Sequence, residues 1–250
     1  MIDLPILFIH GFPFDSGMWR HQVAALSRWE RVVPDLWGAG LVNVPASAGP
    51  YSLADQAAGL VTTLDNLDVD EVVVCGLSMG GYIVFELLRA FPARVRAAIL
   101  CNTKATADTP EAQRGRDTMA VKAEREGPGA IAAELVPKVL ARVTQERLPA
   151  VVREVTTMIE RQPVYGMVVT LRALRDRPDS TPLLGQIRIP VLVIAGDDDQ
   201  ISPAEGMEQM ARAIPGAQFT VISGAGHLPP LEQPRAMNDA VNAFLAQLSS

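Results

Sequence analysis

The chain has 250 residues, 48% hydrophobic and 20% charged, which excludes a disordered polymer and suits one α/β domain, with or without an insertion. Its net charge of −6 argues against a nucleic-acid partner and against an anionic membrane surface. Met1–Pro5 carries no basic stretch, and the apolar run after it is too short for a signal peptide or a spanning helix. The two cysteines, Cys75 and Cys101, read as buried apolar fillers, so a reducing, cytoplasmic setting is expected.

Ile6–Leu7–Phe8–Ile9 is a continuous apolar run, expected as a strand buried on both faces. It ends at His10–Gly11–Phe12–Pro13. Ser16 is placed to cap a helix through Trp19, Val23, Ala24 and Leu26. Arg31–Asp35 reads as a second strand, with Pro34 suited to its end on a sheet edge. Leu36 to Pro50 is a Gly/Pro-rich loop. Ser52 then opens a helix with Leu53, Ala57, Leu60 and Leu64 on one face. Val72–Cys75 is a third strand, stopping at Gly76, and Tyr82–Ala90 follows as a buried helix. Val95–Leu100 is a fourth strand. Thr103–Gln186 shows no convincing strand. It reads as helices broken by prolines and by Gly127–Pro128–Gly129, with Met119, Met158 and Met167 as packing between them. Val191–Ala195 and Gln218–Ile222 are the last strands, and Asn238–Leu248 is a closing amphipathic helix.

Strands alternating with helices predict a parallel sheet, whose ligands bind at the carboxyl ends of the strands. His10, Asp35, Ser78, Asp197–Asp199 and His227 all fall there. Ser78 sits in Gly76–Leu77–Ser78–Met79–Gly80, a G-x-S-x-G pattern between a strand and a helix. So tight a turn strains the nucleophile's backbone, and small residues two before and two after it leave the room it needs. A serine nucleophile needs a base, and the base needs a carboxylate to orient it. The order Ser78, an aspartate of 197–199, then His227 supplies all three. His21 reads as a surface residue and His10 as structural. Asp197–Asp199 with Glu205 lack calcium-loop spacing and have no His or Cys beside them, so no metal is expected.

These motifs resemble the α/β-hydrolase family over nearly the full length. They are His10–Gly11, the Ser78 elbow, Gly196–Asp199 with Pro203, and Gly226–His227 with Glu232 and Pro234. The group resembled is that of small bacterial carboxylesterases, enol-lactone hydrolases and cofactor-free perhydrolases. The resemblance implies a core of 1–102 and 187–250 with a helical cap over 103–186. It also implies an oxyanion hole from the N–H groups of Phe12 and Met79. Members carry the triad acid at an offset that falls here on Asp199, leaving Asp197 as the alternative and Asp198 facing solvent. Members usually begin with two further strands, so a shortened sheet of about six is expected, ordered two-one-three-four-five-six. Trp37 and Val42 stand where members carry Arg and Ser. Phe12, Phe14, Trp37 and Leu228 flank the strand ends and are expected to form an apolar acyl pocket. The predicted function is hydrolysis of small-molecule carboxylic esters without a cofactor. A lactonase or a perhydrolase uses the same residues, and a non-catalytic ligand receptor is the alternative from another class.

Overall fold

The computed structural model describes residues 4–45 and 51–248. The start of the chain, the last five positions of the loop read from Leu36 to Pro50, and the final two residues lie outside them. In chain order the elements are β1 (Ile6–Ile9), α1 (Arg20–Ala25), β2 (Arg31–Val32), α2 (Leu53–Asn66), β3 (Val72–Leu77), α3 (Met79–Ala90) and β4 (Val95–Cys101). Six helices follow: α4 (Pro110–Glu126), α5 (Pro128–Val139), α6 (Arg142–Arg147), α7 (Pro149–Glu160), α8 (Val164–Arg175) and α9 (Thr181–Leu184). The chain then returns through β5 (Val191–Gly196), α10 (Ala204–Ala213), β6 (Gln218–Ile222), α11 (Pro229–Glu232) and α12 (Pro234–Leu248).

All six strands are parallel, in the order β2-β1-β3-β4-β5-β6. This is the shortened sheet expected, with β2 on its edge. Alternate residues of each strand feed two separate cores. Ile6, Phe8, Val73, Cys75, Ile99 and Ile194 join one cluster, while Leu7, Ile9, Val74, Leu100 and Val193 join the other. A strand with helices on both faces must be apolar at every position, and each fully buried large side chain stabilises by about 1.5–3 kcal/mol. Helix α3 is buried along nearly its whole length and is mostly apolar, with Glu86 the one charged residue among its buried positions, paired to Arg89. Cys75 and Cys101 are both buried and free. No helix of the described residues is long and apolar enough to cross a membrane.

Several boundaries differ from the sequence reading: β3 runs through Gly76 to Leu77, α3 begins at Met79 rather than Tyr82, and β4 and β5 each run one residue further, to Cys101 and Gly196. Asp15, not Ser16, caps the first helical turn, its Oδ1 accepting from the Gly17 N–H. The Ser16 N–H is turned instead to Asp35 Oδ1 at 2.8 Å. Strand β2 ends at Val32, short of Asp35, because Pro34 brings no N–H to continue the ladder. Helix α12 starts at Pro234, four residues before Asn238, since proline fits the first helical position.

Candidate active site

Ser78 joins β3 to α3 with φ +53° and ψ −110°, in the left-handed half of backbone space that L residues avoid. Its neighbours hold it there. A Cβ on Gly76 would lie 2.4 Å from the Gly80 carbonyl oxygen, and one on Gly80 would lie 2.1 Å from that of Ile9. Glycine at both positions therefore lets α3 pack on β3 and β1. The Ser78 N–H donates to Cys101 O at 2.9 Å, and its carbonyl accepts from Thr103 Oγ1 at 2.8 Å.

The three competing aspartates separate cleanly. Asp197 is exposed and accepts from Ser223 Oγ and from the Gly224 N–H, so it braces the next loop. Asp198 is exposed and accepts from the Arg142 N–H at 2.8 Å, at the start of α6. Asp199 is buried and lies 2.8 Å from His227 Nδ1 through Oδ2. Oδ2 also accepts from Asn102 Nδ2 at 2.6 Å, and Oδ1 from the Ile201 N–H at 2.8 Å. Burial pushes this carboxyl up, but His227 and these hydrogen bonds outweigh it and hold it below the usual range. An ionised Asp199 can only accept, so Nδ1 carries the ring proton and Nε2 is left to receive one.

His227 is buried, and its N–H donates to Val139 O at 2.9 Å. Glu232 fixes the loop around it. Its Oε1 accepts from the N–H groups of Gly226 and Leu228, and its Oε2 from that of Ala141 at 2.7 Å. Burial raises the pKa of Glu232 against those bonds. Asn102 was not singled out from sequence. Its φ of +42° just past β4 has no sequence signal beyond asparagine's tolerance of such backbone.

Ser78, His227, Phe12 and Met79 line one cavity, with Met119, Tyr82 and Leu135 among its walls. Among the described residues neither the Phe12 nor the Met79 N–H donates to a protein acceptor. The other residues expected in the acyl pocket do not line this cavity. Phe14 and Trp37 line a small void that shares Phe12 and Met79 with it, and Leu228 is fully buried in the core. Trp37 packs over Gly59 of α2, where a Cβ would come within 2.5 Å of the indole, and Gln56 binds its backbone on both sides. An indole that large is accommodated on α2 because Gly59 has no side chain. Met119 reaches the cavity, whereas Met158 and Met167 pack in the core.

His10 is buried. The Leu36 N–H donates to its Nε2 at 3.0 Å, and Nδ1 faces Gly11 O at 2.9 Å, so the ring ties β1 to the loop after β2. No group of three or more His, Cys, Asp or Glu residues among those described could hold a metal ion.

A family model described as alpha/beta hydrolase fold matches residues 5–234. The chain is 27% identical to 3-oxoadipate enol-lactonase 2 of Acinetobacter baylyi over 98% of its own length and 89% of the relative's. It is 29% identical to a carboxylesterase of Bacillus subtilis, covering 97% of this chain and 81% of that one. Among solved structures, a thermophilic esterase from Thermogutta terrifontis in a malate-bound form superposes with a TM-score of 0.95. The two are 40% identical, over 99% of this chain and 91% of the other.

Proposed function

The chain belongs to the α/β-hydrolase-fold family, and on that premise we propose that it is a serine carboxylesterase. One observation carries the reading: the buried 2.8 Å pair of His227 and Asp199 opens onto the same cavity as Ser78. In the proposed cycle Ser78 Oγ attacks the ester carbonyl while His227 Nε2 takes its proton. Asp199 keeps the imidazole in the receptive tautomer and stabilises the cation that forms. The Phe12 and Met79 N–H groups, the latter at the N-terminus of α3, bind the oxyanion. His227 returns the proton to the leaving alcohol, water then attacks the acyl-enzyme with His227 as base, and the acid departs. Side chains and main-chain N–H groups handle every proton and charge, so no cofactor enters the cycle. Helices α4–α9 act as the cap, supplying the apolar walls Met119, Leu135 and Leu174 that exclude water.

The likeness to an enol-lactonase favours a second substrate class, a lactone, in which the leaving alcohol stays tethered to the acyl group. The test is labelling by a fluorophosphonate together with turnover of a short aryl ester. Wild type should show both, and Ser78→Ala should lose the label and roughly a millionfold in kcat. Labelling that survives in Ser78→Ala overturns the assignment.

A further inference from the structure

The proposed cycle needs no charge on the substrate, yet the cavity wall beside Ser78 carries two. Lys104 and Arg116 are the only Lys, Arg, Asp or Glu side chains lining it among the described residues, and both are basic. Lys104 follows β4, and Arg116 lies on α4. Behind them is Asp108, its side chain fully buried. Arg177 Nη2 meets Asp108 Oδ1 at 2.8 Å, Arg116 Nε meets Oδ2 at 3.0 Å, and Lys104 Nζ stands 3.8 Å from Oδ1. Three cations thus share one carboxylate, which leaves two positive charges unmatched. The chain as a whole has 28 acidic residues against 22 basic, so the excess is local.

The three cations are not equivalent. The Arg177 side chain is 3% exposed, bonds to Leu174 O and Thr106 O, and covers the Tyr82 ring at 4.2 Å. It is complete without a ligand. The Arg116 and Lys104 side chains are 25% and 38% exposed, and beyond Asp108 neither has a partner among the described residues. Burial, then the charge of Arg177, pulls the Lys104 pKa down despite Asp108. Unmatched charge in a half-dry wall is costly until an anion arrives. There is also room for one. The Ser78 cavity is only about 60 Å³, but a second of about 350 Å³ adjoins it between the end of β4 and α10, sharing Lys104 and Ile201. A substrate with its carbonyl at Ser78 would extend its remote end past Lys104.

Resting on the esterase reading, we infer that the substrate carries a carboxylate, remote from the ester bond, that Lys104 and Arg116 bind. Arginine offers it a two-pronged donor and lysine a point charge. The carboxylate belongs either to the acyl part, as in a half-ester of a dicarboxylic acid, or to the alcohol.

Two matched pairs of esters test this. The ethyl half-ester of adipic acid is compared with its uncharged isostere, in which isopropyl replaces the carboxylate. The acetate of a four-carbon hydroxy acid is compared with its isostere in the same way. In one pair, kcat/KM should favour the anionic ester at least tenfold, and that pair identifies the carboxylate's source. The ratio should fall at least tenfold in Lys104→Met and in Arg116→Gln, with circular dichroism confirming that each variant folds. Calorimetric titration of Ser78→Ala with the same esters reads the preference without turnover. No preference in binding or turnover overturns the inference and leaves the esterase reading intact. A preference that survives both substitutions also overturns it. If no ester turns over but the binding preference is present and lost with Lys104, the esterase reading fails and the anion site stands.

Discussion

Asp199 has three neighbours that donate to it, and they do two kinds of work. In the proposed cycle His227 is the partner that relays the proton, while Asn102 and the Ile201 N–H stop the carboxylate from rotating away. Asp199→Asn should cost roughly 10³–10⁴ in turnover, because an amide can present its NH₂ to the ring and select the wrong tautomer. Asp197→Asn and Asp198→Asn, which only weaken loop contacts, should stay within about tenfold of wild type. Steady-state kinetics on one aryl ester separates the three. Asn102→Asp tolerates the same backbone but sets a second carboxylate 2.6 Å from Asp199 Oδ2 in place of a donor. A loss of about ten- to hundredfold in kcat/KM at neutral pH is expected, together with a lower melting temperature, because the buried carboxylate would also face the Gly226 carbonyl that Asn102 Nδ2 now bonds. The meeting of Ser78, Asp199 and His227 at one site was legible because each follows a strand of a parallel sheet at its carboxyl end. Asn102 was not, because one asparagine after a strand looks like any turn residue. The seat of Trp37 was hidden for a related reason: an aromatic at a strand end can face a ligand or a helix, and only Gly59, 22 positions on, makes room for its indole on α2.

At the scale of elements, glycine separates positions that hold the fold from positions that merely permit it. Gly80 faces β1 so closely that an added methyl must displace backbone, and backbone of a central strand cannot yield. Gly80→Ala should lose at least about 2–3 kcal/mol of stability. Gly115, inside α4 and exposed, meets nothing within 4 Å. Gly115→Ala should gain about 0.5–1 kcal/mol from helix propensity and a less flexible unfolded chain. Urea unfolding midpoints check both signs. The central strands were the easiest elements to read, since burial on both faces forces runs such as Val72–Val73–Val74. Edges were harder. Strand β2 pairs through Arg31 and Val32 alone, and sequence could not show that extended residues after Val32 lack a partner. The first helical cap was misread because Asp15 and Ser16 are both good capping residues, and Arg161 and Gln162, far along the chain, hold Asp15 in the role.

For the whole molecule, acid should act first through His10. Burial holds its pKa below the ordinary value of 6.5, against weaker opposing effects from Gly11 and nearby carboxylates. Above pH of about 6.5 both folded and unfolded forms are neutral there, and nothing is lost. As pH falls through that value the unfolded chain takes up a proton that the folded one resists, so stability declines. Protonation would also take away the acceptor of the Leu36 N–H. The urea midpoint should therefore drop between about pH 6.5 and 5, and His10→Asn, less stable throughout, should show a flatter dependence in that window. Glu232 acts in the opposite sense: its raised pKa means stability is lost as pH rises through the carboxylate range. Asp108 is held low despite burial by Arg177 and Arg116, so its contribution disappears only below the ordinary carboxylate value. Glu232 and Asp198 have a further consequence. They fasten the histidine loop and the turn after β5 to the helices above the sheet through the N–H groups of Ala141 and Arg142, not through side chains. A fastening made to main chain is blind to the identity of the residue it holds. Arg142 is exposed, so position 142 can change to any amino acid but proline while the turn after β5 stays fastened, whereas the fully buried Ala141 is confined to small side chains by what surrounds it.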